Sequence, residues 1–167
     1  MAFTGKAFVY GDDVNTDVIF PGKYTYTVTE RTETAKHALE DLDPEFATKA
    51  KPGDVIIAGR NFGCGSSREQ AAICLKELGI GLVVAESFSR IFFRNAINEG
   101  LAVATVRGLK DKVSTGDDVT VDLTNGTIAC AAGVFTFPGL PPEVMVIVEA
   151  GGLIEYTKRR IAEDAKR

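Results

Sequence analysis

Apolar and polar positions alternate in short blocks along this chain. Residues 6–10 read as a short strand, Gly11-Asp12-Asp13 as a turn, and Val18-Ile19-Phe20 as a second short apolar run closed by Pro21-Gly22. Residues 22–28 are polar and aromatic without helical periodicity and predict a loop. Thr27-x-x-Glu30 has the spacing of a capping box, in which a hydroxyl and a carboxylate each satisfy a free backbone N–H. It predicts a helix through Ala35, Ala38 and Leu39 that stops before Pro44. After the turn Lys51-Pro52-Gly53-Asp54, residues 55–58 are continuously apolar, the pattern of a strand buried on both faces.

The middle of the chain has the clearest pattern. Residues 59–65 are glycine-rich, and Ser66-x-x-Glu69 is a second capping box. Ala71, Ala72, Cys74, Leu75 and Leu78 then line one side of a helix that Gly79 and Gly81 stop. Residues 82–85 are a strand. A further helix starts at Ser87, runs through Ile91, Phe92, Asn95 and Ile97, and ends at Gly100; residues 101–106 are again a strand. This β-α-β-α-β order predicts parallel strands with right-handed crossovers. Beyond it, turn signals at residues 115–118 and 124–127 bracket two apolar runs, 119–123 and 128–132, which predict a hairpin. Residues 143–150 suit strand or helix equally, and residues 153–166 predict an amphipathic helix with a basic patch at Lys158, Arg159 and Arg160.

Composition narrows the possibilities. The 167 residues carry 19 Lys+Arg against 23 Asp+Glu, and 45% are hydrophobic, which suits one soluble domain with a real core. A mildly acidic balance argues against nucleic acid or an anionic membrane as the main partner. No long apolar run predicts a membrane span, and residues 1–10 lack a signal-peptide pattern, so the expected location is cytoplasmic. Cys64, Cys74 and Cys130 are widely spaced and form no metal-ligand pattern, and the lone His37 lies in a charged stretch that does not suit a Ser-His-Asp triad.

Two stretches can carry chemistry. Arg60-Asn61-Phe62-Gly63-Cys64-Gly65-Ser66-Ser67-Arg68-Glu69 leads from a strand end into a helix start. Gly65 lets the backbone approach a ligand, free N–H groups and the positive helix end favour an anion, and Arg68 can grip a carboxylate through two parallel hydrogen bonds. This pattern fits a small carboxylate or phosphate equally as well as a Ser66 helix cap with Arg68 paired to a surface acid. Cys64 reads as a small residue packed in a turn rather than a nucleophile, and Cys74 and Cys130 as core residues. The second stretch, Gly11-Asp12-Asp13-Val14-Asn15-Thr16-Asp17, lacks the later glutamate of a calcium loop and reads as side chains bonding local backbone.

Taken together, these segments, with Ser87-Phe-Ser-Arg-Ile-Phe-Phe-Arg-Asn-Ala-Ile-Asn-Glu-Gly100 and Gly151-Gly-Leu-Ile-Glu-Tyr156, resemble the small subunits of 3-isopropylmalate dehydratases. These are equivalent to the swivelling domain of the aconitase superfamily. The resemblance covers nearly the whole chain and implies an α/β fold, a three-layer β/β/α swivel domain over residues 1–167. It also implies a hydro-lyase of leucine biosynthesis that interconverts 2- and 3-isopropylmalate by dehydration and rehydration. The [4Fe–4S] cluster is then held by a separate large subunit on its own cysteines, and this chain alone binds none. An isolated chain, with the surface for that partner bare, can self-associate.

Carried over residue by residue, the resemblance makes Ser66 the catalytic base, acting as an alkoxide. Ser67 becomes a hydroxyl that contacts substrate and Arg68 the arginine that binds a substrate carboxylate. The loop Tyr24-Thr25-Tyr26-Thr27 faces the remaining part of the substrate. Where tricarboxylate-using relatives place an arginine in that loop, this chain has Tyr26, which favours an alkyl-substituted malate over citrate or homocitrate. A small subunit for 2,3-dimethylmalate or a related 2-hydroxy acid, and a stand-alone carboxylate-binding module, remain as alternatives.

Overall fold

A computed structural model describes residues 1–166. In chain order its strands are β1 (Ala2–Val9), β2 (Val55–Ala58), β3 (Leu82–Ala85), β4 (Val103–Thr105), β5 (Asp118–Asp122), β6 (Thr127–Cys130) and β7 (Gly133–Thr136). The helices are α1 (Thr16–Ile19), α2 (Arg31–Thr34), α3 (Phe46–Lys49), α4 (Gln70–Glu77), α5 (Arg90–Asn98), α6 (Pro142–Ala150) and α7 (Leu153–Asp164). Single 3-10 turns occupy Gly22–Tyr24 and Ala35–His37.

The seven strands form one curled sheet in the order β4-β3-β2-β1-β5-β6-β7. β1 is shared between its two halves. Residues 2–6 pair antiparallel with β5, and residues 7–9 pair parallel with β2. β2, β3 and β4 continue the parallel half, as the alternation of strands and helices predicts.

The all-apolar sequences of β2 and β3 now have their reason: both faces are covered. Ile56, Ala58, Val83 and Ala85 point into a core shared with Phe20, Phe46, Ala71, Leu75 and Phe92 from the helical layer. Val55, Ile57, Leu82 and Val84 point the other way, into a core with Val119, Val121 and Ile128 of the antiparallel half and Val148 of α6. The result is the expected three layers, helices on parallel strands on antiparallel strands.

Several local expectations are corrected. Thr27 caps no helix: α2 begins at Arg31, and the chain breaks into a 3-10 turn before Leu39, which takes a positive φ of 56°. The apolar run Val18-Ile19-Phe20 divides: Asn15 Oδ1 accepts from Val18 N and starts a helical turn that takes in Val18 and Ile19, and Phe20 beyond it is extended. α5 starts at Arg90 with Ser89 as its cap, two residues beyond Ser87. The predicted hairpin gains a third strand, β7, and residues 143–150 are helical. Cys130 is only partly buried at the edge of the second core. The helix expected at residues 153–166 is α7, which lies against α6 and α5 with Tyr156 partly buried but has no fully buried residue. Among the described residues no helix is long and apolar enough to cross a membrane.

A candidate active site at the C-terminal edge of the parallel strands

Parallel strands deliver their following loops to one edge, and in open α/β sheets that edge is where ligands bind. Here the loops after β1, β2 and β3 are tied together by backbone hydrogen bonds. Gly59 N donates to Gly11 O at 3.0 Å, Asp13 N to Arg60 O at 2.8 Å, and Gly63 N to Val14 O at 2.7 Å. Thr16 N donates to Cys64 O at 2.8 Å, and Thr16 Oγ1 to Ser66 O at 3.0 Å. On the other side Phe62 N donates to Ser87 O and Ser89 N to Phe62 O. The two stretches singled out in the sequence are therefore one structure.

The acidic stretch does more than local turn chemistry. Asp12 accepts from the backbone N–H of Arg60 at 2.9 Å, from its guanidinium at 3.0 Å and from Lys110 Nζ at 3.1 Å. These donors, the Arg60 backbone N–H first, hold its carboxyl well below the usual range. Asp13 accepts from Asn61 at 2.8 Å. Both reach the neighbouring loop rather than their own, which corrects the sequence expectation. Lys110 lies 98 residues from Asp12, too far for any local signal to reveal.

The predicted Ser66 cap does not form. α4 starts at Gln70, its cap position is Glu69, and no side chain closes it. Gly65, Ser66 and Ser67 lie exposed on the turn before it. Among the described residues, the backbone N–H groups of Ser66, Ser67 and Arg68 meet no backbone acceptor. The loop thus presents two hydroxyls and a row of free donors at one spot, an arrangement suited to an anion.

Arg68 turns back toward the β1 loop. Its Nη1 lies 2.6 Å from Asp17 Oδ1, a charge contact without hydrogen-bond geometry, so this buried nitrogen has no hydrogen-bond acceptor. The surface-acid pairing considered for Arg68 is present, and the arginine keeps unmet donor capacity beside it. Its guanidinium also lies against Gly22, where an added Cβ would come within 2.8 Å of Nη1. Gly22 opens the loop containing Tyr24 to Thr27, so that loop starts beside Arg68.

Within the loop the four residues differ. Tyr24 stacks on His37 with ring centroids 3.6 Å apart, and its hydroxyl donates to Glu40 at 3.0 Å. Thr25 Oγ1 is buried without a partner. Tyr26 is 92% exposed, and Thr27 is exposed as well. Buried polar atoms almost always find partners, and an orphan calls for an explanation. Three such atoms occur among the described residues, and two of them, on Thr25 and Arg68, belong to predicted substrate-binding residues.

The cysteines do not build a cluster site. Cys64 is half-buried, and desolvation by burial raises its thiol pKa, so it is not an activated nucleophile. Cys74 is fully buried. Among the described residues, no three His, Cys, Asp or Glu side chains come together as a metal site. This donor set does not fit an iron–sulfur cluster.

Residues 14–106 match the family described as the aconitase C-terminal domain. The 3-isopropylmalate dehydratase small subunit of Caldicellulosiruptor saccharolyticus is 50% identical over 167 residues, covering 99% of this chain and 96% of that one. The isopropylmalate/citramalate isomerase small subunit of Methanocaldococcus jannaschii is 46% identical over 162 residues, with 95% of each chain covered. The crystal structure of a 3-isopropylmalate dehydratase from the latter organism matches with a TM-score of 0.91 at 43% identity, over 99% of both chains.

Proposed function

The chain belongs to the family of 3-isopropylmalate dehydratase small subunits, within the aconitase superfamily, and from that premise we propose that it completes the active site of a hydro-lyase interconverting 2- and 3-isopropylmalate in leucine biosynthesis. The partner is a large subunit, which in this enzyme class owns the [4Fe–4S] cluster and would supply the Lewis acid toward which the hydroxyl leaves.

Dehydration of an alkyl malate removes a hydroxyl from one carbon and a proton from its neighbour. Rehydration returns them in exchanged positions. The carbon that loses its proton lies next to a carboxylate. Arg68 is the group that holds such a carboxylate, offering two parallel N–H donors once substrate competes with Asp17. Ser66 takes the proton on Oγ and returns it on rehydration. A serine hydroxyl is a weak base, so its anion needs donors already in place, and the free N–H groups of residues 66–68 on the turn before α4 supply them. Ser67 offers a second hydroxyl to the substrate, and Gly65 leaves the approach open. The reading rests above all on the orphaned Arg68 Nη1 and Thr25 Oγ1, two buried polar atoms on loops that meet where Arg68 touches Gly22.

The substrate's third substituent is alkyl. Loop residues 24–27 carry no cation. The cations flanking them are spent elsewhere, Lys23 on Glu40 and Asp41 and Arg31 on Glu77 and Glu99. A third carboxylate would sit there without a counter-charge. Citramalate, with methyl in place of isopropyl, belongs in the substrate panel because the Methanocaldococcus jannaschii relative is named for both.

The test is the anaerobically reconstituted complex with its large subunit, assayed with Ser66→Ala. Loss of a positioned base lowers kcat by about 10²- to 10⁴-fold, with complex formation and the melting temperature of the small subunit unchanged. A Ser66→Ala complex turning over at the wild-type rate removes the assignment. A chain that binds isopropylmalate alone, with no turnover in any complex, is instead a stand-alone binding module.

A further inference from the structure

Glu40 lies outside the loop of residues 22–28, yet it gathers that loop's polar ties. Its Oε1 accepts from Lys23 Nζ at 2.9 Å and from the Tyr24 hydroxyl at 3.0 Å. Its Oε2 lies 2.8 Å from His37 Nδ1, and the His37 ring is the one stacked on Tyr24. The post that carries Glu40 is fixed. Leu39 beside it is fully buried, donates its N–H to Ile19 O at 2.8 Å, and accepts from Leu42 and Asp43. The loop's other ties are its own backbone turns, Tyr24 N to Pro21 O and Val28 N to Tyr24 O, and the packing of Tyr24 and Val28 on the first core, while Tyr26 between them is almost fully exposed. One carboxylate on a rigid turn thus holds the start of a loop whose next residue, Thr25, presents a buried hydroxyl without a partner.

We propose that Glu40 is a positioning residue for substrate selection: through Lys23, Tyr24 and His37 it sets the height of the Tyr24–Thr27 loop over the site and so the size of alkyl group the site prefers. This rests on the function proposed above. Glu40 touches no substrate, so its effect is confined to binding and to discrimination between alkyl groups. Two consequences separate this role from mere structural support. Binding weakens while the chemical step persists, because Ser66 and Arg68 stand on a different loop. The preference between isopropyl and methyl groups narrows, because a looser loop no longer fits one size.

The experiment compares wild-type, Glu40→Ala and Glu40→Gln complexes with isopropylmalate and citramalate. Loss of hydrogen bonds to a half-exposed carboxylate is expected to raise KM for isopropylmalate about three- to tenfold in Glu40→Ala. kcat stays within about twofold, and the ratio of kcat/KM for the two substrates moves toward one. Glu40→Gln, whose amide oxygen still accepts from Tyr24 and Lys23, recovers most of the loss. Lys23→Met removes one of the two donors on Glu40 Oε1 and shows the same change at smaller amplitude, which keeps the test alive if Glu40→Ala does not assemble. Unchanged KM and unchanged substrate ratio in both Glu40→Ala and Lys23→Met overturn the proposal. So does an equal fall in kcat for both substrates at constant KM. Absence of isopropylmalate turnover in the wild-type complex overturns the function itself, and this assignment with it.

Discussion

Replacing Gly63 by alanine isolates how tightly the reactive loop is built. Gly63 sits at φ 74°, and a Cβ placed on it would lie 2.2 Å from Phe92 Cγ and 2.3 Å from Phe92 Cβ. Those atoms cannot swing away, since they stand at the base of a side chain that is 1% exposed and packed edge-on against Phe62 at 5.2 Å. Either α5 or the loop must shift. Alanine at positive φ costs about 1 kcal/mol, and overpacking a core adds about 1–3 kcal/mol. The sum, about 2–4 kcal/mol, corresponds to a drop of about 4–16 °C in the melting temperature of a chain this size. Gly108→Ala is the matched control: its φ is 72°, and no atom lies within 4 Å of its added Cβ. It should lose only the backbone term, about 2–4 °C. The assay is thermal unfolding of the isolated chain, followed by turnover of the complex. Gly63 also donates to Val14 O and accepts from Ser89 Oγ, so its displacement should carry Ser66 and Arg68 with it and lower turnover. Equal melting shifts for the two variants would refute the packing argument.

The other expectations are briefer. Citrate and homocitrate should turn over at under about 1% of the isopropylmalate rate, because an uncompensated buried carboxylate costs several kcal/mol; comparable rates would show that a cation reaches the site. Cys64→Ala should keep wild-type turnover, and the Cys64 thiol should react slowly with iodoacetamide at neutral pH because burial raises its pKa. The chain should lose stability in acid. Hydrogen bonds, that from His37 first, lower Glu40 from its ordinary 4.5 to about 2, and Asp12 is lowered as well. Both carboxylates therefore stabilise the fold above their unfolded pKa, and that contribution is lost as pH falls from there toward the folded value. Melting temperatures of wild type between pH 7 and pH 2 should show this decline, and Asp12→Asn should flatten it.

How much of this was legible in the sequence depended on whether a signal was local. β2 and β3 were found at their observed bounds, because four apolar residues between turn signals have few other uses. The capping boxes misled. Thr27 and Ser66 both have the right residue three positions on, yet neither caps a helix, because tertiary bonds such as Thr16 Oγ1 to Ser66 O set the backbone at the second site. The site stretches were visible as motifs, but their union was not. Pairing of Val14 and Thr16 with residues 63–66 depends on β1 lying beside β2, a non-local fact. Asp17 beside Arg68, Lys110 on Asp12, and Glu40 beneath Tyr24 carry no sequence signal of their own; each appears only once the sheet order is known.

The geometry also bears on why such a chain acts as part of a larger enzyme. Ser66 and Ser67 lie open to solvent, and Arg68 faces the half-exposed Asp17. In water a serine alkoxide and an arginine–carboxylate pair gain little, because solvent competes for every donor and screens every charge. The same groups become effective when a covering surface removes that water, since fixed N–H donors then act in a low dielectric without reorganising. Asp17 fits this logic. In the bare subunit it keeps the Arg68 charge compensated, while its poor hydrogen-bond geometry leaves the guanidinium ready for a better-aligned carboxylate. Under the proposed function, a large subunit closing over this edge would supply the missing cover, and with it the conditions under which Ser66 would hold a proton and release it.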